Sequence, residues 1–162
     1  MSESKTPESA SSAAAVAADE ESMILDAVDR FIEREVAPVA HDLEARDEYP
    51  QAIVDSMRSL GLFGATIGTA HGGLGLGATT YSKIVEHVSA AWMSVSGIFN
   101  SHLIMAAAVE RFGSEDQKRH FLPRFASGEL RGGIALTEPD AGTDLQGIRT
   151  RAALDGDHYV VN

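Results

Sequence analysis

The 162-residue sequence has no cysteine, which excludes disulfides, thiolate metal sites and a cysteine nucleophile together. Basic residues are scarce, with 13 Lys and Arg against 24 Asp and Glu and a formal net charge of −11. A broad basic surface for nucleic acid or anionic lipid is therefore not expected, although a local cluster could still hold one phosphate. None of the six histidines, at positions 41, 71, 87, 102, 120 and 158, has the i, i+4 spacing with a supporting glutamate that a zinc helix uses. They read as scattered surface or packed histidines, and no metal site is expected. Ser94 and Ser96 lack the glycine-flanked elbow that exposes a serine nucleophile.

The amino-terminal stretch lacks large apolar residues. Met1 to Ser22 is rich in Ser, Ala and Glu, and besides alanine its only apolar residues are Met1 and Val16. No apolar core of secretory length is present, and Glu3, Glu8, Asp19, Glu20 and Glu21 replace the arginines of a mitochondrial presequence. Residues 1–21 are expected to form a disordered acidic tail, and the protein is expected to be cytoplasmic. Val88 to Val109 carries no Asp, Glu, Lys or Arg over 22 residues. Its internal serines, Asn100 and His102 favour two buried helices, or one bent helix, over a membrane span.

With 44% hydrophobic and 23% charged residues, the rest has ordinary globular composition. Ile24, Leu25, Val28, Phe31, Ile32, Val36, Val39 and Leu43 recur at helical spacing and predict an amphipathic helix to about Glu44, bent near Val36 by Pro38. Tyr49-Pro50 opens a second helix with Ile53, Val54, Met57 and Leu60 on one stripe and Gly61 at a left-handed cap. Gly73-Leu74-Gly75-Leu76-Gly77-Ala78 fits a loose dinucleotide-loop pattern, but Leu62 to Ala70 makes a poor strand and no carboxylate lies between Glu86 and Glu110. A tightly turned loop between helices is the better reading.

A third helix carries Tyr81, Ile84, Val85, Val88 and Trp92, and a fourth runs from Ile98 to Phe112. Trp92, Met93 and Phe99 read as core, with an apolar pocket wall as the alternative. Ser114 and Gln117 form a capping box for a short helix that Pro123 should end or bend. Beyond Gly128 the predicted elements are a strand at Leu130 to Thr137, a polar turn, a strand at Ile148 to Leu154, and a hairpin through Asp155-Gly156 to His158 to Val161. The turn from Leu136 to Asp144 displays the Thr137 and Thr143 hydroxyls, backbone N–H groups and Gly142. Such a turn suits an anionic or carbonyl-rich ligand, and equally serves as a capped surface turn.

The sequence resembles the amino-terminal part of an acyl-CoA dehydrogenase from about Ser22 to Asn162. Leu136-Thr137-Glu138-Pro139-Asp140-Ala141-Gly142-Thr143-Asp144 is similar to that family's flavin-binding motif. Phe112-Gly113-Ser114-Glu115-Asp116-Gln117-Lys118, Leu122-Pro123 and Ala126-Ser127-Gly128-Glu129 resemble the family's preceding segment; Glu35-Val36-Ala37-Pro38 and Gly72-Gly73-Leu74-Gly75 also fit. The resemblance implies a mainly α fold: an amino-terminal helical domain at 22–129, then the opening strands of an incomplete middle β-domain at 130–162.

It further implies FAD-dependent α,β-dehydrogenation of an acyl-CoA, a glutamate taking the α proton while a hydride passes to the flavin. Leu136 and Thr137 would contact the isoalloxazine ring. Gly142 and Thr143 would meet the ribityl-pyrophosphate region, with Thr143 also near substrate, a position where the family usually has serine. Ser96, Asn100 and Ile104 resemble the floor of the acyl pocket. Glu138 belongs to the turn and not to the catalytic base, which the family carries in a later domain, so the chain alone is expected to be inactive. The resemblance also implies an electron-transfer flavoprotein as electron acceptor and a homodimer or homotetramer when complete. Alternatives are a related flavin monooxygenase or acyl-CoA oxidase, or a non-catalytic subunit completing a longer homologue.

Overall fold

The computed structural model describes residues 7–162, with side chains from Asp19 onward. Helix α1 (Pro7–Phe31) starts well upstream of its apolar stripe. Residues 1–6 of the expected tail lie outside the described residues, but residues 7–21 are helical, which corrects the composition-based expectation. Alanine is the strongest helix former and proline is tolerated in a first turn, so Ala-rich sequence extends the helix as readily as it suggests disorder. After Phe31 the backbone widens into a π-helical turn at Ile32–Val36, closed by the Ala37 N–H donating to the Ile32 carbonyl at 2.9 Å. Pro38 accounts for it, since it has no N–H to donate and its ring would strike the carbonyl four residues back in a regular helix. Helix α2 (Ala40–Ala45) then restarts the path.

Helix α3 (Gln51–Ser59) buries Ile53, Val54 and Met57 and is followed by Gly61 at φ 75°, the left-handed cap expected there. Helix α4 (Ala78–Phe112) contains both helices predicted between Thr79 and Gly113, bent at Trp92, where φ is −160° and ψ is 102°. The Ser96 hydroxyl donates to the Met93 carbonyl at 2.7 Å and accepts from Ser89 at 2.8 Å, so two serines bridge the break in the helical ladder. α4 is long and apolar enough to cross a membrane, yet Ile84, Val88, Val95, Phe99, Leu103 and Ala106 are all buried in the protein's core. Trp92 and Phe99 are core residues as expected, whereas Met93 is exposed.

Helix α5 (Glu115–Ala126) begins with a complete capping box: Gln117 N–H donates to Ser114 Oγ at 3.2 Å, and Ser114 N–H to Gln117 Oε1 at 2.8 Å. The helix does not end at Pro123, because buried Leu122, Phe125 and Ala126 hold its last turn against the core. Ser114→Ala is expected to cost about 1 kcal/mol, read as a lower midpoint in urea denaturation.

Among the described residues the sheet is one antiparallel pair, β1 (Ala152–Asp155) with β2 (His158–Val161), in register from Ala152↔Val161 to Asp155↔His158. Gly156 turns the hairpin at φ 64°. Leu130 to Thr137, predicted as a strand, forms no ladder among the described residues, and the strand predicted from Ile148 begins only at Ala152. One core cluster unites α1, α3, α4, α5 and the Leu62 to Ile67 segment, with Phe63 and Phe99 fully buried.

Candidate functional site

The turn after Thr137 is built around one carboxylate. Glu138 and Ala141 exchange backbone hydrogen bonds, N–H to carbonyl, at 2.8 and 3.2 Å. One Glu138 carboxylate oxygen accepts the Arg149 N–H at 2.8 Å and the other accepts the Thr150 N–H at 2.9 Å. Those two amides are thereby engaged by the turn. Hydrogen bonding from Thr150, from its side chain above all, and from the Arg149 N–H holds the Glu138 carboxyl below the usual carboxylate range. Asp144 accepts the Gln146 N–H at 3.0 Å and caps the short 3-10 turn Leu145–Gly147. Ala141 is buried beneath the loop, and Arg149 pairs with Asp140 at 3.1 Å on its outside.

This closure leaves Leu136, Thr137, Gly142 and Thr143 exposed on one loop. The N–H groups of Thr137, Gly142 and Thr143 have no hydrogen-bond partner among the described residues, and a Cβ built on Gly142 would meet nothing within 4 Å. The cleft of about 540 Å³ beside the turn is lined by Glu138, Pro139, Asp140, Arg149, Thr150 and Asn162.

Since Glu138 carries a depressed pKa, its contribution to loop order is present above the ordinary carboxylate pKa and is lost as pH falls through the depressed value. Amide exchange at Arg149 and Thr150 is therefore expected to accelerate on acidification. Glu138→Gln, which retains one acceptor oxygen and no charge, is expected to raise exchange there by about tenfold and to flatten the pH dependence.

The segment leading into the turn rests on α4. His102 is fully buried. Its Nε2 lies 3.1 Å from both the Phe63 and the Phe125 carbonyl oxygens, and its Nδ1 accepts the Gly132 N–H at 3.2 Å. One neutral tautomer satisfies all three contacts, with the proton on Nε2 shared between two carbonyls. Burial pushes the imidazole pKa down and the Arg131 charge adds to this, against the two carbonyls, which favour the protonated form. Phe63 and Phe125 both stand edge-on to the ring, at centroid distances of 5.3 Å. Sequence reading placed His102 among scattered histidines; its position on an apolar helix face was the available signal.

Asn100 and Ile104 lie one turn apart on the outer face of α4, where Met93, Gly97 and Ile104 are exposed and Asn100 is half-buried. The Asn100 Oδ1 accepts the Tyr81 hydroxyl at 2.6 Å, and burial pushes the Tyr81 pKa up to about 12. Ser96 is buried at the bend and faces inward. In the glycine loop the amides are spent internally: Leu74 N–H donates to the Gly64 carbonyl at 2.9 Å, Gly75 N–H to Ile67 at 2.9 Å, and Leu76 N–H to Ala65 at 2.8 Å. That is a packed connection, as expected, with no open amide row for a dinucleotide.

Residues 18–129 match the family profile described as "Acyl-CoA dehydrogenase, N-terminal domain". The chain is 39% identical over 146 residues to (2S)-methylsuccinyl-CoA dehydrogenase of Cereibacter sphaeroides, covering 89% of this chain and 27% of that protein. It superposes on butyryl-CoA dehydrogenase from Megasphaera elsdenii with a TM-score of 0.80 and 28% identity, over 100% of this chain and 40% of that one. A glutaryl-CoA dehydrogenase from Mycobacterium smegmatis in complex with FADH2 gives a TM-score of 0.80 and 28% identity, over 88% of this chain and 37% of the other. The chain thus spans between about a quarter and two-fifths of the length of these relatives.

Proposed function

The chain belongs to the acyl-CoA dehydrogenase family, and from that premise we propose that it is part of an FAD-dependent enzyme that oxidises the α,β-bond of an acyl-CoA thioester. The observation that carries this reading is the exposed turn, with Leu136, Thr137, Gly142 and Thr143 displayed together and its amide donors unspent among the described residues. Free N–H donors beside an open glycine fit a group that offers carbonyl edges and phosphates, as FAD does. When bound, FAD supplies the hydride acceptor.

This chain's part is to bind and orient. Leu136 and Thr137 would hold the isoalloxazine ring, and Gly142 and Thr143 the ribityl-pyrophosphate region. The Thr143 hydroxyl would also lie near the substrate. Asn100 and Ile104 floor the acyl chain on the outer face of α4, where open space beside Gly97 leaves room for it. Glu138 is not the proton acceptor, since both its oxygens are engaged in holding the turn. The proposal extends to an electron-transfer flavoprotein as acceptor, a homo-oligomeric enzyme and a cytoplasmic location.

The test uses the native protein purified from its source. Its flavin absorption is expected to bleach anaerobically with an acyl-CoA thioester and to persist with the corresponding free acid. A native protein that takes up no FAD on reconstitution overturns the reading, and rapid reoxidation by oxygen replaces the dehydrogenase with an oxidase.

A further inference from the structure

We propose that His102 is a positioning residue that sets the flavin-binding turn by tethering Gly132 to the helical core. Between Leu130 and Glu138 the backbone makes one hydrogen bond among the described residues, the Gly132 N–H to His102 Nδ1 at 3.2 Å. Upstream, the Leu130 N–H is fixed on the Arg124 carbonyl at 3.1 Å, and downstream the Glu138 N–H is fixed on Ala141 at 2.8 Å. The residues between them include Leu136 and Thr137; the Arg131 side chain also donates to the Tyr49 hydroxyl at 2.6 Å, and the imidazole is the point at which the segment's backbone is anchored on α4.

The packing around the tether makes it directional. His102 spans three separate elements: the turn at Leu62–Gly64 through the Phe63 carbonyl, α5 through the Phe125 carbonyl, and the approach segment through Gly132. Gly132 presses on the helix so closely that an added Cβ would fall 2.6 Å from Met105 Cγ. A flat ring with an acceptor on one edge and a shared donor on the other joins these elements in one geometry. An imidazolium would point an N–H at the Gly132 N–H and reverse the contact. Arg131 is the charged group that acts on the ring from the approach segment, and it favours the neutral form.

The tether stands on geometry alone, while its consequence for cofactor binding rests on the flavin reading of the turn. Two measurements keep these apart. In the wild-type protein, imidazole nitrogen NMR at neutral pH is expected to show His102 as the Nε2–H tautomer; an Nδ1–H tautomer or an imidazolium overturns the proposal without any variant. His102→Phe preserves ring volume and removes both polar edges. Amide exchange at Gly132 and its neighbours is expected to rise by about tenfold while α4 and α5 keep their protection. His102→Asn, which returns an acceptor near Nδ1, is expected to restore protection at Gly132 in part. Unchanged exchange at Gly132 in His102→Phe overturns the tether. In the native holoprotein, the same variant is expected to weaken FAD binding by about tenfold, with recovery in His102→Asn. Exchange that responds while FAD affinity does not move overturns the positioning role and leaves a structural tether. A wild-type protein that binds no FAD, with the exchange result intact, instead sinks the flavin reading.

Discussion

Gly73→Ala is expected to lower stability by more than about 4 kcal/mol, enough to leave the helical domain largely unfolded at ambient temperature. A Cβ at this position would lie 2.1 Å from the Ile67 carbonyl oxygen, 2.6 Å from the Ile67 carbonyl carbon and 2.7 Å from the Gly64 oxygen. These are backbone atoms, and both carbonyls already accept N–H groups from Leu74 and Gly75 at 2.9 Å. A rotamer change cannot relieve such a clash. The loop would have to open, breaking its internal hydrogen bonds and moving Leu62, Phe63 and Ile67 out of the core. Gly97→Ala is the matched control, because a Cβ there meets nothing within 4 Å inside a helix. It is expected to stabilise by about 0.5–1 kcal/mol through helix propensity. Urea denaturation of both variants decides the matter, and a Gly73→Ala protein with the wild-type midpoint would contradict the packing described.

Phe63→Ala is the second large effect, at about 3–5 kcal/mol. Phe63 is fully buried, stands edge-on to His102, and has the Arg131 guanidinium 6.0 Å from its ring centroid. A Cβ on Gly128, at φ 70°, would fall 2.9 Å from the Phe63 ring, so the glycine before the approach segment lies directly against it. Truncation leaves a cavity where the core meets that segment, and the surrounding helices can only partly collapse into it. Phe63→Leu retains most of the volume and is expected to cost less than about 1.5 kcal/mol. A fall in denaturation midpoint at constant slope is the expected signature. An alanine variant within about 1 kcal/mol of wild type would mean the ring is not part of the core.

Local chemistry explains what was legible from sequence. The apolar stripes of α1, α3 and α4 repeat at helical spacing, Gly61 adopts the left-handed cap that glycine accommodates best, and Pro38 produces the break its missing N–H requires. The turn at Leu136 to Asp144 was visible because Thr, Pro, Asp and Gly each have a local reason to turn the chain. The unforeseen contacts are non-local. The turn is braced by Glu138 capturing amides 11 and 12 residues away, a contact that no local pattern announces. His102 acts on Gly132 across 30 residues, a relation that no period of 2 or 3.6 can encode. The resemblance implies a substrate-side role for Asn100, but its Tyr81 partner lies 19 residues upstream across the bend and was not legible. The helical start of α1 was missed for a different reason: alanine, serine and glutamate suit both a solvated coil and a helix.

The two sides of α4 answer to different demands. Val88, Val95, Phe99, Leu103 and Ala106 face a core in which a single methylene is felt, while Met93, Gly97 and Ile104 on the same helix carry no such constraint. Substitutions along the outer row can therefore accumulate with little penalty to folding. A lineage can reshape what that face accommodates, lengthening or blocking it one residue at a time, while the scaffold beneath stays the same.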